Sequence, residues 1–184
     1  MQKSLKYKPI LDLLFKKFLL VIVAGSLVGT LSAQNAQQEA NLKAAFIYNF
    51  TKYIDWGSYN RDSLFTIGVA GDSPIIQSLN TIAAADKINN KRVVIKTINT
   101  PADLADCDLI FISRQCRMPL NYILSKTRPG ILTISEHPGF AEAGTAFNFV
   151  VVNNRLKFEA NLKALSAAGL KAGSQLLKLA IIVD

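Results

Sequence analysis

The chain has 184 residues, half of them hydrophobic, with 21 basic and 13 acidic residues, one histidine and two cysteines. Such a length supports one domain with a real core. A lone histidine excludes a His-rich metal set, and beyond residue 33 the scattered Lys and Arg form no run interleaved with aromatics, which argues against nucleic acid as a partner.

Lys3, Lys6, Lys8, Lys16 and Lys17 precede an apolar run from Phe18 to Leu31, and Leu31-Ser-Ala33 closes it. A basic start, a short apolar stretch and a small residue at the cut describe a secretory signal peptide over 1–33. The run falls short of the roughly 20 residues a membrane span needs. An uncleaved anchor is the other reading. Removing five Lys and one Asp leaves 16 basic and 12 acidic residues, a net +4 in place of +8. The exported domain would be 34–184.

Gln34 to Glu39 reads as a frayed polar lead-in, with Asn41 as the N-cap of a long first helix ending near Trp56-Gly57. At 3.6 residues per turn, Leu42, Phe46, Ile47, Phe50, Tyr53 and Ile54 share one face, with Tyr48, Thr51, Lys52 and Asp55 opposite. Trp56, beside Gly57, is expected to be more exposed than Tyr53; the aromatic patch suits core, dimer contact or partner anchor alike. Phe65 to Ala70 reads as a strand. Pro74 opens a helix carrying Ile75, Ile76, Leu79, Ile82 and Ala83 on its apolar side.

Arg92 to Ile98 is a further strand, and Pro101 to Ala105 a helical turn. The all-apolar run within Asp108 to Ser113 marks a strand covered on both faces. Pro119 to Lys126 forms a short helix before the strand Ile131 to Ser135. Ala146 to Val152 and Leu156 to Asn161 form a hairpin turned at Asn153-Asn154, which tolerate positive φ. Two helical segments, Leu162 to Ala168 and Ser174 to Ile181, complete the chain. Alternating strands and helices predict one α/β domain, Rossmann-like, its mostly parallel mixed sheet flanked by helices on both faces and ending in a β-hairpin.

Catalytic constellations are missing: no G-x-S-x-G elbow, no phosphate loop and no metal-ligand spacing occur, so the chain reads as no enzyme and as needing no cofactor. His137 is expected to be a solvated loop imidazole, and Asp103, Asp106 and Asp108 solvated charges. Cys107 and Cys116 flank a strand. Its extended length separates them by roughly 20 Å, beyond the about 7 Å a disulfide allows. Two free thiols with Cys107 buried is the favoured reading, and a disulfide, should the chain double back after Ser113, the other.

In open α/β sheets ligands collect at the carboxyl ends of the strands. The loop Ser135 to Gly144, with Glu136 and Phe140, should share that edge with Gly71-Asp-Ser73 and with Ser113 and Arg114. The cluster suits a small polar ligand or a partner's loop; plain connecting loops are the alternative. A second candidate surface is Arg155, Lys157, Glu159, Asn161 and Lys171, although Glu159 and Asn161 also suit a structural tie between the last strand and its helix.

The ordered set KAAFIYNFTKYIDW (Lys43 to Trp56), FTIGVAG (Phe65 to Gly71), CDLIFIS (Cys107 to Ser113), GILTIS (Gly130 to Ser135), LKFEANL (Leu156 to Leu162) and LLKLA (Leu176 to Ala180) resembles the YfiR-like family of exported proteins. The resemblance implies a periplasmic homodimer that represses an inner-membrane diguanylate cyclase of the YfiN type through its periplasmic part. Release would raise cyclic di-GMP and promote biofilm attachment, and an outer-membrane-associated counterpart would sequester the repressor. Cys107 matches a disulfide position of the family without its usual partner, and Gly144-Thr145 stands where the family shows two glycines. The alternative function is a periplasmic small-ligand-binding module using the strand-end crevice.

Overall fold

The computed structural model describes residues 34–59 and 63–183; the signal-peptide reading of 1–33 lies outside them. The chain divides into two units between residues 39 and 40. The described residues of the first, 34–39, are all helical, and helix α1 runs on to residue 53. The expected frayed lead-in is therefore helix. Gln, Ala and Glu are good helix formers and carry the helix past Asn41. Asn41 is internal, its Oδ1 accepting from Ser78 Oγ at 2.7 Å.

The buried face of α1 is also rotated from the expected one. Leu42 and Tyr53 are exposed, whereas Ala40, Lys43, Ala44, Ile47, Tyr48, Phe50 and Thr51 are buried, as is Ile54 just beyond the helix. A polar face read from residue type alone misses Thr51, whose Oγ1 bonds to Tyr48 O at 2.7 Å and so can be buried at little cost.

Beyond α1 the chain runs β1 (Ile54–Asp55), β2 (Leu64–Ala70), α2 (Ile75–Ala85), β3 (Arg92–Ile98), α3 (Ala102–Ala105), β4 (Leu109–Ile112), α4 (Leu120–Lys126) and β5 (Leu132–Ser135). It ends with β6 (Phe147–Val152), β7 (Arg155–Asn161), α5 (Leu162–Ala167), β8 (Lys171–Ala172), α6 (Ser174–Leu177) and β9 (Ile181–Val183). The main sheet has the order β3-β2-β4-β5-β6-β7-β9. All neighbours are parallel except β6 and β7. The hairpin turns at Asn153 and Asn154, with φ of 51° and 60°.

Two cores sandwich the sheet. Phe65, Ile67, Val69, Leu109, Phe111, Leu132 and Ile134 point to the side of α1 and α2, where Phe50 packs on Phe147 and Phe158 with ring centroids 4.9 and 4.6 Å apart. Ala70, Ile110, Ile112 and Ile131 point to the other side, against Leu104 of α3 and Ile123 of α4. The period-2 alternation of strands thus feeds both layers.

The final helical segment is shorter than expected. Helix α6 stops at Leu177, and Ile181–Val183 joins the sheet as β9, with Ile181 opposite Glu159. β-branched residues favour the strand. β1 and β8 form a separate two-stranded ribbon that pairs Asp55 with Lys171, where the sequence pattern carries no strand signal.

Candidate functional site

Order β3-β2-β4 means the chain crosses from β2 to β3 in one direction and returns past β2 to β4. Adjacent strands leaving their sheet in opposite directions open a crevice at their carboxyl ends, the usual ligand position in such folds. The residues there are Gly71 and Asp72 after β2, Asn99 after β3, and Ser113 to Arg117 after β4. Glu136 and His137, after β5, complete the edge.

This edge is tightly tied. Buried Ser113 donates its N–H to Ala70 O at 3.0 Å and its hydroxyl to Asp72 O at 3.1 Å. Gly71 holds φ at +85°, and a Cβ there would stand 2.5 Å from Cys116 N. Only glycine fits both the torsion and the approach. The Arg114 main-chain N–H donates to Glu136 Oε1 at 2.9 Å, and its Nε reaches Glu136 O at 3.4 Å. Glu136 Oε2 receives Lys43 Nζ from α1, so a buried ammonium balances its charge.

His137 is half-buried, contrary to the solvated imidazole expected. Its Nε2 lies 2.8 Å from Ser113 O and its ring stacks on Phe140 at 4.5 Å. A carbonyl partner makes that nitrogen the protonated one. Phe140 packs onto the Ile110–Ile112 core and folds the β5–β6 loop over the edge.

The structure thus places Ser113, Arg114 and Glu136 in contact at this edge, with Phe140 joined to them through His137. Missing from the sequence reading was Lys43. It lay in the most conspicuous apolar helix as one of several lysines, and nothing local marks it as the one turned inward.

Trp56 does not join a surface. It is 4% exposed while Tyr53 is 43% exposed, the reverse of the expectation. Its ring meets Phe65 edge-to-face at 5.2 Å and its indole N–H reaches Thr51 O at 3.5 Å. β1 turns the chain inward immediately after α1, which a helix extended to Gly57 would not do.

The second candidate surface separates into parts. Asn161 is buried and structural: its Oδ1 accepts from Ala164 N at 2.8 Å as the N-cap of α5, and its Nδ2 donates to Ala141 O at 2.8 Å. Glu159 Oε2 accepts from Asn148 Nδ2 at 2.9 Å. Arg155 and Lys157 stay exposed on the same sheet face, with exposed Ile181 one strand further out. Lys171 belongs to the separate ribbon.

The remaining charges depart from the solvated reading in part. Asp108 is buried and accepts from Thr66 N at 2.8 Å, tying the start of β4 to β2. Asp103 accepts from Thr100 N at 2.8 Å and pairs with Lys96 at 2.8 Å. The Lys96 ammonium first, then the Thr100 donors, hold the Asp103 carboxyl well below its usual range. Cys107 and Cys116 are free thiols. Burial pushes the Cys107 thiol up to about 11. Among the described residues no group of three or more His, Cys, Asp or Glu could hold a metal, and no helix is long and apolar enough to cross a membrane.

A family model described as YfiR/HmsC-like matches residues 40–181. No curated protein matches the chain. Among solved structures, a conserved domain protein from Vibrio cholerae O1 biovar eltor is similar with a TM-score of 0.53 at 11% identity, over 79% of this chain and 60% of that one. The chain therefore spans about 60% of that protein's length, and the likeness is one of fold.

Proposed function

The chain belongs to the YfiR/HmsC-like family, and from that membership we propose that it is an exported regulatory protein that binds the periplasmic domain of an inner-membrane signalling protein and holds it inactive. The partner class is a diguanylate cyclase of the YfiN type. The reading of 1–33 as a signal peptide supports export to the periplasm.

The structural observation that carries a protein contact is the open end of the sheet. β9 closes the β7 side as a short edge strand whose Ile181 and Ile182 are 38% and 46% exposed, with Leu179 beside them at 69%. The opposite edge strand, β3, carries Arg92 and Lys96 and follows Lys91, charges of the kind that deter strand pairing. The three residues of β9 itself, Ile181 to Val183, are all apolar. A solvent-facing apolar edge next to Arg155 and Lys157 has the mix of anchor and rim that protein interfaces use.

Repression follows if this surface fits the inactive conformation of the cyclase better than the active one, since only differential affinity moves an equilibrium. The test is deletion of the gene in its native cell, with cyclic di-GMP measured by mass spectrometry. Cyclic di-GMP rises in the deletion strain and returns on complementation. It stays high on complementation with Ile181→Lys. An unchanged level in the deletion strain contradicts the proposal.

A further inference from the structure

The crevice at the β2–β4 switch point carries a charge pattern that the fold does not require. It is a groove of about 850 Å3, and its lining includes Asp72, Asn99, Arg114, Arg117, Met118 and Tyr122. That volume lies inside the roughly 300–1,000 Å3 typical of small-molecule sites. Asp72, Arg114 and Arg117 are exposed, and none of the three takes part in an ion pair among the described residues.

Glu136 does not quench Arg114. Its Oε2 is engaged by buried Lys43, and its Oε1 takes the Arg114 main-chain N–H. The Arg114 guanidinium bonds through Nε to a carbonyl, which leaves its two terminal nitrogens without a hydrogen bond among the described residues. Two guanidinium groups therefore face one groove against a single carboxylate, an excess of one positive charge. Guanidinium forks match carboxylate and phosphate oxygens in geometry as well as charge.

The walls are set in advance. Ser113 is bonded at both its N–H and its hydroxyl, Cys116 N–H donates to Ser113 O at 3.0 Å, and Gly71 fixes the opposing turn. A ligand entering such a groove has little ordering of the loops to overcome.

We propose that this groove binds a small organic oxyanion, a carboxylate or phosphate ester, held by Arg114 and Arg117 with its apolar body against Met118 and Tyr122. Asp72 works against the anion. This site is separate from the β9 edge, and either assignment stands or falls without the other.

The test is a titration of the isotopically labelled protein with inorganic phosphate, citrate and benzoate in turn, following amide chemical shifts. At least one probe gives saturable shifts centred on Gly71, Asn99 and residues 114–118. Arg114→Ala and Arg117→Ala each weaken that binding at least about tenfold, the scale of a lost charge-assisted hydrogen bond. Asp72→Asn tightens it, and Arg155→Ala, on the hairpin, leaves it unchanged. Arg114→Lys stands in for Arg114→Ala if the lost bond to Glu136 O unfolds the loop. No saturable shift with any of the three probes overturns the proposal, as does wild-type affinity in Arg117→Ala.

Discussion

Lys43 on α1 and Glu136 in the β5–β6 loop form an ion pair with side chains only 7% and 11% exposed, 93 residues apart in sequence. It fastens the first helix to the carboxyl edge of the sheet. Removing one partner strands the other charge out of water, which costs roughly 3–5 kcal/mol. Lys43→Met therefore lowers unfolding stability by about that much in urea titrations. The double variant Lys43→Met with Glu136→Met recovers more than half of the loss, because no bare charge remains. Additive losses would contradict the pairing.

The two thiols differ in reach. Cys107 is fully buried with its pKa pushed up to about 11, chiefly by burial, while Cys116 is partly exposed. Thiolates are the reactive form. At pH 8 a thiol reagent labels one cysteine per folded chain quickly, and mass mapping places it at Cys116. The second reacts only on unfolding. Two fast thiols, or none, would contradict this.

Tyr48 contributes to the loss of stability at alkaline pH. Its hydroxyl is buried without a hydrogen-bond partner among the described residues, and burial, with a smaller contribution from the Asp86 charge, raises its pKa to about 12 from 10.0. A folded pKa above the unfolded one means that folding favours the neutral phenol. Its contribution is intact below pH 10 and is lost as pH rises towards 12. Cys107, raised from 9.0 to about 11, adds an earlier decline of the same sign. Stability measured from pH 8 upward falls through this window, and Tyr48→Phe flattens its upper part. An equally steep fall in Tyr48→Phe would rule the phenol out.

Much of the fold was legible because strand and helix patterning is local. The apolar runs at β4 and β5, Pro74 at the start of α2 and the Asn153-Asn154 turn each announce themselves within a few residues. β1, β8 and β9 do not. They are two or three residues long and exist through pairing, as when Ile181 meets Glu159. The rotation of α1 has the same origin: whether Leu42 or Lys43 turns inward depends on Glu136, far away in sequence. In the candidate site, Ser113, Arg114, Glu136 and Phe140 could be grouped from the strand-end rule alone. The burial of Trp56 and Asn161 could not, since each depends on partners such as Phe65 and Ala141 that only the folded chain supplies.

Asn161 and Glu159 should separate on substitution. Asn161→Ala removes the α5 cap and leaves Ala141 O short of its donor, a loss of roughly 2–4 kcal/mol. Glu159→Ala removes one acceptor from Asn148 at a half-buried position and costs about 1 kcal/mol. Thermal unfolding of the two variants checks the order, and a larger loss for Glu159→Ala would reverse the assignment.

The proposed role is restraint of a membrane signalling protein through the β9 edge of the sheet. Capture of the tagged protein from its native cell after mild cross-linking tests it most directly. The expected result is recovery of an inner-membrane protein with a periplasmic domain and a cytoplasmic cyclase, lost when Ile181→Lys is the bait. Recovery of the protein alone, from cells in which the candidate cyclase is present, would contradict it.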